Sequence, residues 1–297
     1  MKKIAYLILA HSDADQLGKL CKTLDDEYAD IFIHIDAKVS IRSFSESISL
    51  TNARIINTRF SVTWGGISMV DAQNELVKEA LNYSQNYSHV VFLSGNCYPI
   101  KRSKQIHGFL ISRDEVEFIK YIDMRKSAHH MKKIEQKWFK EPFVRRVDIG
   151  PFRRMESQFR DSLTRVKFRQ SWKSNLIPYF GSQWCALTPN CCRYIIEFQE
   201  KNPWYRKMFK YVFAPDEIFF HTIIGNSEFA RHSTGIQEFT GLGAWRMANI
   251  HLMGTTSKWF SIGDWKEIEN SDMLFVRKVR GIEGTSLVRA IDKNILK

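Results

Sequence analysis

Apolar and polar positions fall in blocks along this chain. Ile4–Ala10 is an unbroken apolar run, and Leu17, Leu20 and Leu24 follow it at helical spacing. A second apolar run, Ile31–Asp36, ends in Asp36-Ala37-Lys38. The pattern then predicts a short strand at Arg54–Asn57 and a helix over Ile67–Tyr83 through Met69, Ala72, Leu76 and Ala80. A strand at His89–Ser94, a turn at Tyr98-Pro99, a helix around Gln105–Ile111 and a strand at Glu117–Ile122 complete the first half. Strands apolar throughout and alternating with helices predict an α/β fold: a mostly parallel, Rossmann-like sheet with helices on both faces. Such sheets bind ligands beyond the C-terminal ends of their strands, where the strand order reverses. Asp36, Trp64-Gly65-Gly66 and Ser94-Gly95 fall at those ends.

The pattern resumes later with a strand at Gly181–Thr188 and a helix at Cys191–Gln199. Pro215 followed by Asp216 and Glu217 reads as a helix start, with Ile218, Phe219 and Ile223 facing the core and both acids in the first turn. An irregular glycine-containing region (Gly235, Gly241, Gly243, Gly254), a strand at Met273–Val279 and a helix near Thr285–Ile295 follow. The expectation is one domain over 1–297, with a first half (1–122) and a second half (176–297) around a basic helical insertion (125–173). No internal repeat or linker interrupts it.

Charge changes the picture only in that insertion. From Arg125 to Lys173 fifteen Lys and Arg face five acids, a net +10 out of +12 for all 297 residues. Such a run is either a solvated helical face or a patch that meets an anionic lipid or glycan; no nucleic-acid-binding signature accompanies it. Five cysteines without metal-ligand spacing argue against a disulfide framework and for a reducing, cytoplasmic setting, peripheral to the inner face of a membrane if the basic patch meets lipid. The N-terminal apolar run is too short for a signal peptide, and no run reaches the roughly 18 apolar residues of a membrane span.

Candidate chemistry sits at four stretches besides Pro215-Asp216-Glu217. Asp36 ends a strand, placed to accept from a ribose or base edge. Val62-Thr63-Trp64-Gly65-Gly66 offers a stacking ring and close backbone approach before a helix. Leu93-Ser94-Gly95-Asn96-Cys97-Tyr98-Pro99-Ile100-Lys101 looks like a ligand loop. Arg277 and Lys278 lie on an apolar strand, where buried cations need partners. Each stretch alone also has a plain reading: a capped helix, a turn, a core Trp or an edge-strand charge pair. Asp13-Ala14-Asp15 reads as a helix cap rather than a metal motif.

Together and in order, these stretches resemble the core-2/I-branching β-1,6-N-acetylglucosaminyltransferases, the family that also contains peptide O-xylosyltransferases, in a bacterial-type member. The resemblance runs from Ala10-His11 through His34-Ile35-Asp36, Thr63-Trp64-Gly65-Gly66, Leu93-Ser94-Gly95 with Tyr98-Pro99-Ile100-Lys101, Gly181-Ser182-Gln183-Trp184 and Pro215-Asp216-Glu217 with Phe219-Phe220-His221-Thr222 to Leu274-Phe275 with Arg277-Lys278. Residues 125–175 show none. The resemblance implies a GT-A-like fold, with 1–122 as the nucleotide-sugar-binding half and 176–297 as the acceptor and catalytic half, and inverting, metal-independent transfer of a sugar, N-acetylglucosamine first, from a UDP-sugar to a hydroxyl of a surface glycan or lipid-linked glycan. It implies donor contacts at Asp36 and Trp64, with Ala10, Lys38 and Val62 beside them. Glu217 falls on the general base and Arg277 and Lys278 on the cations that hold the diphosphate. Ser94, Gly95, Cys97, Gln183 and Trp184 fall near the acceptor or transferred sugar. No cofactor is implied beyond the donor substrate. Two positions depart from the pattern: Cys97 stands where the family often has an acid, and Gln183 where the xylosyltransferase branch has Asp. Both point to an altered sugar or acceptor. The alternatives are another UDP-hexose or xylosyl transferase and, in a different class, a non-catalytic carbohydrate- or nucleotide-binding protein on the same scaffold.

Overall fold

In the computed structural model, which describes residues 1–143, 150–255 and 258–296, the N-terminal apolar run lies at the centre of the sheet. The first half runs β1 (Lys3–Ala10), α1 (Ala14–Leu24), β2 (Ala29–Ile35), α2 (Arg42–Ile48), β3 (Arg54–Ile55), α3 (Ser68–Tyr83), β4 (Tyr87–Ser94), β5 (Cys97–Pro99), α4 (Ser103–Ile111) and β6 (Glu117–Asp123). Then come α5 (Ala128–Glu135), α6 (Gly150–Arg165), β7 (Tyr179–Gly181), β8 (Ala186–Leu187), α7 (Pro189–Lys201), α8 (Pro203–Met208), α9 (Phe219–Gly225), β9 (Ser233–Ile236), β10 (His251–Met253), α10 (Trp265–Glu269), β11 (Phe275–Arg277) and α11 (Thr285–Ile291).

The main sheet has the order β3-β2-β1-β4-β8-β6-β7, with β9 on β6. Ladders β2–β3, β1–β2 and β1–β4 are parallel. Alternate residues of β1 serve opposite faces, as the period of a strand requires. Ala5, Leu7 and Leu9 join the core under α3 and α7, while Ile4, Tyr6, Ile8 and Ala10 join that under α1, α2 and α4. The expected sheet with helices on both faces is therefore present, and its first half matches the sequence pattern except at α2, which the pattern does not show, and at β5, a short strand where the pattern predicts a turn.

The second half departs from it. The expected strand Gly181–Thr188 is two short ones, β7 and β8, and both pair antiparallel with β6; β8 also pairs antiparallel with β4. The strand at Met273–Val279 shortens to β11 and leaves the main sheet altogether. It sits in a small sheet between β10, parallel, and β5, antiparallel. Its apolar character reflects a separate core that includes Tyr98, Ile100, Val276 and Leu287. The C-terminal helix ends as α11 and continues as a wider turn over Asp292–Leu296. All five cysteines are free and buried. Among the described residues, no helix is long and apolar enough to cross a membrane.

Candidate active site

Pro215, Asp216 and Glu217 form a single 3-10 turn, and α9 begins only at Phe219. Ala214 enters that turn in the left-handed region (φ 51°), its N–H donating to Gly65 O at 3.1 Å. The acids therefore precede the helix rather than occupying its first turn, and Glu217 has a direct partner instead. Lys133 Nζ donates to Glu217 Oε2 at 3.0 Å, and it also lies 4.9 Å and 4.8 Å from the ring centres of Phe180 and Phe213. Glu217 Oε1 has no partner among the described residues. Asp216 is buried, and burial first, then the neighbouring Glu217 charge, push its carboxyl up to about 7.

Arg277 and Lys278 reach the same place from the other side of the molecule. The segment carrying them is pinned at several points. Val279 N–H donates to Asn96 O at 2.9 Å and Phe260 N–H to Lys278 O at 2.8 Å. Gly281 N–H donates to Asp13 Oδ2 at 2.8 Å, and Lys19 Nζ to Gly281 O at 2.9 Å. Asp13 also caps α1 by accepting from Gln16 N–H at 3.2 Å; Asp15 pairs with Lys19. The Asp13-Ala14-Asp15 stretch thus caps a helix, as its position suggests, and anchors the cationic segment as well. The Arg277 guanidinium stacks on Trp184 at 4.1 Å and donates to Ser94 Oγ. Its Nε is buried without a partner, and no carboxylate pairs with it among the described residues. Desolvation pulls its pKa below the ordinary arginine value, opposed by Cys97. Lys278 is shifted down by desolvation and by Arg277, with its Nζ 5.5 Å from the Trp259 ring centre.

Glu217 and the two cations, sixty residues apart in sequence, line one cleft of about 400 Å³. Trp64, Gln183 and Trp184 line it too. Trp64 is 68% exposed and meets Phe213 edge-on at 5.5 Å. Gly65 (φ 73°) holds the turn before α3, with Phe213 3.1 Å from where a β-carbon would stand. Gly66 has no ligand-facing backbone of the kind expected: Glu141 fills the space over it and accepts from Ser68 N–H at 2.8 Å. Glu141 caps α3 from within the basic segment.

The other donor candidates form a ledge beside the cleft and are not among its lining residues. Asp36 N–H donates to Ala10 O at 2.9 Å. The Asp36 carboxylate accepts from Lys38 N–H at 2.9 Å and pairs with Lys38 Nζ at 3.3 Å; that ammonium also donates to Val62 O. Gly95 N–H donates to Leu9 O at 2.9 Å, and Gly95 packs on Ala10. His11, next along from Ala10, links ledge and cleft. Desolvation lowers its pKa, Asp36 opposes that, and Lys38, Arg277 and Lys278 reinforce it. Ser94 touches the cleft only through Arg277. Cys97 is not among the lining residues of the cleft: it is fully buried behind Arg277, its Sγ accepting from Ser94 N–H at 3.3 Å and lying 3.6 Å from His251 Nε2.

Sequence reasoning missed Lys133 because nothing local distinguishes it from the fourteen other cations of its segment. It missed His129, Trp245, Met253 and Lys258, which also line the cleft, because they come from the basic and glycine-containing stretches without a readable pattern.

A family model described as Core-2/I-Branching enzyme matches residues 4–272. The match runs through 125–175, where no motif is legible, and stops short of Arg277 and Lys278, whose place rests on the cleft geometry. Xylosyltransferase 2 of Rattus norvegicus is 25% identical over 232 residues, covering 76% of this chain and 25% of that protein. Xylosyltransferase oxt of Drosophila melanogaster is 22% identical over 308 residues, covering 98% of this chain and 33% of that protein. The chain thus spans between a quarter and a third of the length of these relatives. Among solved structures, a cytidylyltransferase from Leptospira borgpetersenii is similar over 70% of this chain and 72% of that one, at 12% identity and a TM-score of 0.29. With nearly its whole length matched, the chain belongs to the Core-2/I-branching enzyme family.

Proposed function

We propose that the protein is an inverting glycosyltransferase that moves a sugar, N-acetylglucosamine first among candidates, from a UDP-sugar to a hydroxyl of a surface glycan. The observation that carries this reading is the meeting of Glu217 with Arg277 and Lys278 in one cleft. Inverting transfer is a single displacement: the acceptor oxygen attacks the anomeric carbon, the bond to UDP breaks, and one carboxylate takes the hydroxyl proton. Glu217 fills that role, with Oε2 held by Lys133 and Oε1 left for the acceptor. The departing diphosphate gathers negative charge, which donors fixed in advance stabilise best. A half-buried guanidinium with no carboxylate partner among the described residues is such a donor. Asp36, Lys38 and His11 border the cleft on the side where the nucleoside would lie.

The acceptor side is supplied by a second hollow of about 970 Å³, which shares His129, Lys133 and Phe213 with the cleft and is bordered by Trp138, Trp172 and Arg169. Aromatic faces beside cations suit a glycan chain.

Glu217→Gln is expected to abolish transfer while UDP binding, read by calorimetry, stays near the wild-type value; retained turnover removes Glu217 as the base. Arg277 and Lys278 take the place a divalent ion would otherwise hold, so transfer is expected to persist in excess EDTA. A strict Mn²⁺ requirement overturns that role. The xylosyltransferase relatives make UDP-xylose the second donor to try, and Gln183 in the cleft wall, accepting from Gln73 Nε2 at 3.3 Å, is the residue to vary when donors are compared.

A further inference from the structure

Helix α6 carries large apolar side chains that the fold does not cover. Phe152, Met155 and Phe159 are 59%, 63% and 58% exposed, and Val166, just past the helix, is 62% exposed. Their spacing of three, four and seven residues puts them on one stripe. Among the described residues, only the Phe159 end has an aromatic neighbour, Phe143, at 6.3 Å. An apolar stripe of this size on a soluble surface marks an interaction site.

The flanks of the stripe say what covers it. Arg153, Arg154, Arg165, Lys167 and Arg169 are exposed, and none forms an ion pair with a carboxylate among the described residues. The acids opposing them are few: Glu156 is already engaged, pairing with Arg160 and accepting from Phe143 N–H, and Asp161 is the one other acid of the helix. A basic helix with a wet apolar stripe matches an anionic lipid surface, in which the stripe sinks into the headgroup boundary and the arginines meet lipid phosphates. A protein partner would need matching acids and a complementary pocket; a bilayer needs neither.

The helix is also fastened to the wall of the cleft. Phe139 N–H donates to Thr164 Oγ1 at 3.1 Å, and Arg160 donates to the carbonyls of Phe139 and Lys140. That strap leads back through Trp138, whose N–H donates to Tyr211 O at 2.9 Å, to Lys133 and Glu217. We propose that α6 is a membrane-docking helix that seats the protein on an anionic bilayer with the acceptor side of its cleft toward the lipid.

Co-sedimentation with vesicles tests this without any sugar, so its outcome is independent of the transfer reading. Wild-type protein is expected to sediment with phosphatidylglycerol vesicles and far less with pure phosphatidylcholine, the binding weakening as salt is raised. Phe152→Glu with Phe159→Glu changes only exposed positions and is expected to reduce vesicle binding about tenfold or more. Arg153→Glu with Arg154→Glu is expected to abolish the preference for anionic lipid. Vesicle binding undiminished in the phenylalanine pair overturns the proposal. So does a lipid-free dimer, seen by analytical ultracentrifugation, that the same pair dissolves, since the stripe is then an interface between two copies. Wild-type far-UV circular dichroism and a cooperative melting transition in both variants confirm that they are folded.

Discussion

Asp216 and Glu217 are neighbours with opposite circumstances. Asp216 is buried and its carboxyl is raised to about 7; Glu217 borders the cleft and holds Lys133. The first therefore suits structure and the second proton transfer. The raised value has a sign that can be checked. An unfolded chain releases the Asp216 proton near pH 4, while the folded protein keeps it until about 7. Stability falls as pH rises through that window. Asp216→Asn removes the titration, so its melting temperature is expected to gain on that of the wild type between pH 4 and pH 7, measured by calorimetry in matched buffers. The same scale shows what a sequence reveals. The Pro-Asp-Glu turn is legible as a candidate site only in the company of the other stretches, since acids after a proline also simply start a helix. Lys133 was not, since its significance comes from the 84 positions of chain that folding closes between it and Glu217.

At the scale of elements, the cleft depends on segments that are pinned rather than regular. Gly281 shows this most sharply. A β-carbon there would stand 2.4 Å from Asp13 Oδ1 and 3.2 Å from Asp15 Oδ2. Gly281→Ala must push the segment off the start of α1, moving Arg277 and Lys278 with it. The expected result is a loss of transfer and of UDP affinity together, with a stability cost in the 1–3 kcal/mol range typical of overpacking. Glu141 pins the other wall by capping α3. Glu141→Ala leaves Ser68 N–H unmatched and is expected to cost about 0.5–2 kcal/mol, as lost helix caps do, in denaturant titrations. Regular elements were readable because periodicity reports burial directly: β1 and α3 match their patterns almost residue for residue. The glycine-containing stretch 235–254 was not readable, because its shape is fixed by contacts to β6 and the cleft rather than by any repeat.

At the scale of the whole molecule, the strand order decides which distant residues become neighbours. The parallel half sets Asp36 and Ser94 at adjacent strand ends, on either side of β1. The antiparallel half turns the chain back so that Trp184 faces Ser94, and Arg277 is held between them. The sheet class was evident from the blocks of apolar residues. The reversal at β8 was not, because two residues of strand carry too little pattern to show direction. The basic segment is likewise two things at once: Lys133 belongs to the cleft, and α6 to the outer surface.

The lone guanidinium of Arg277 has one more effect. Desolvated and without a carboxylate among the described residues, it works against the fold until an anion arrives. Melting experiments should then rank uracil nucleotides by phosphate count, UDP lifting the transition more than UMP and uridine hardly at all. Arg277→Met should melt no lower than the wild type in plain buffer yet respond to none of the three, so that the hardier protein is the inert one.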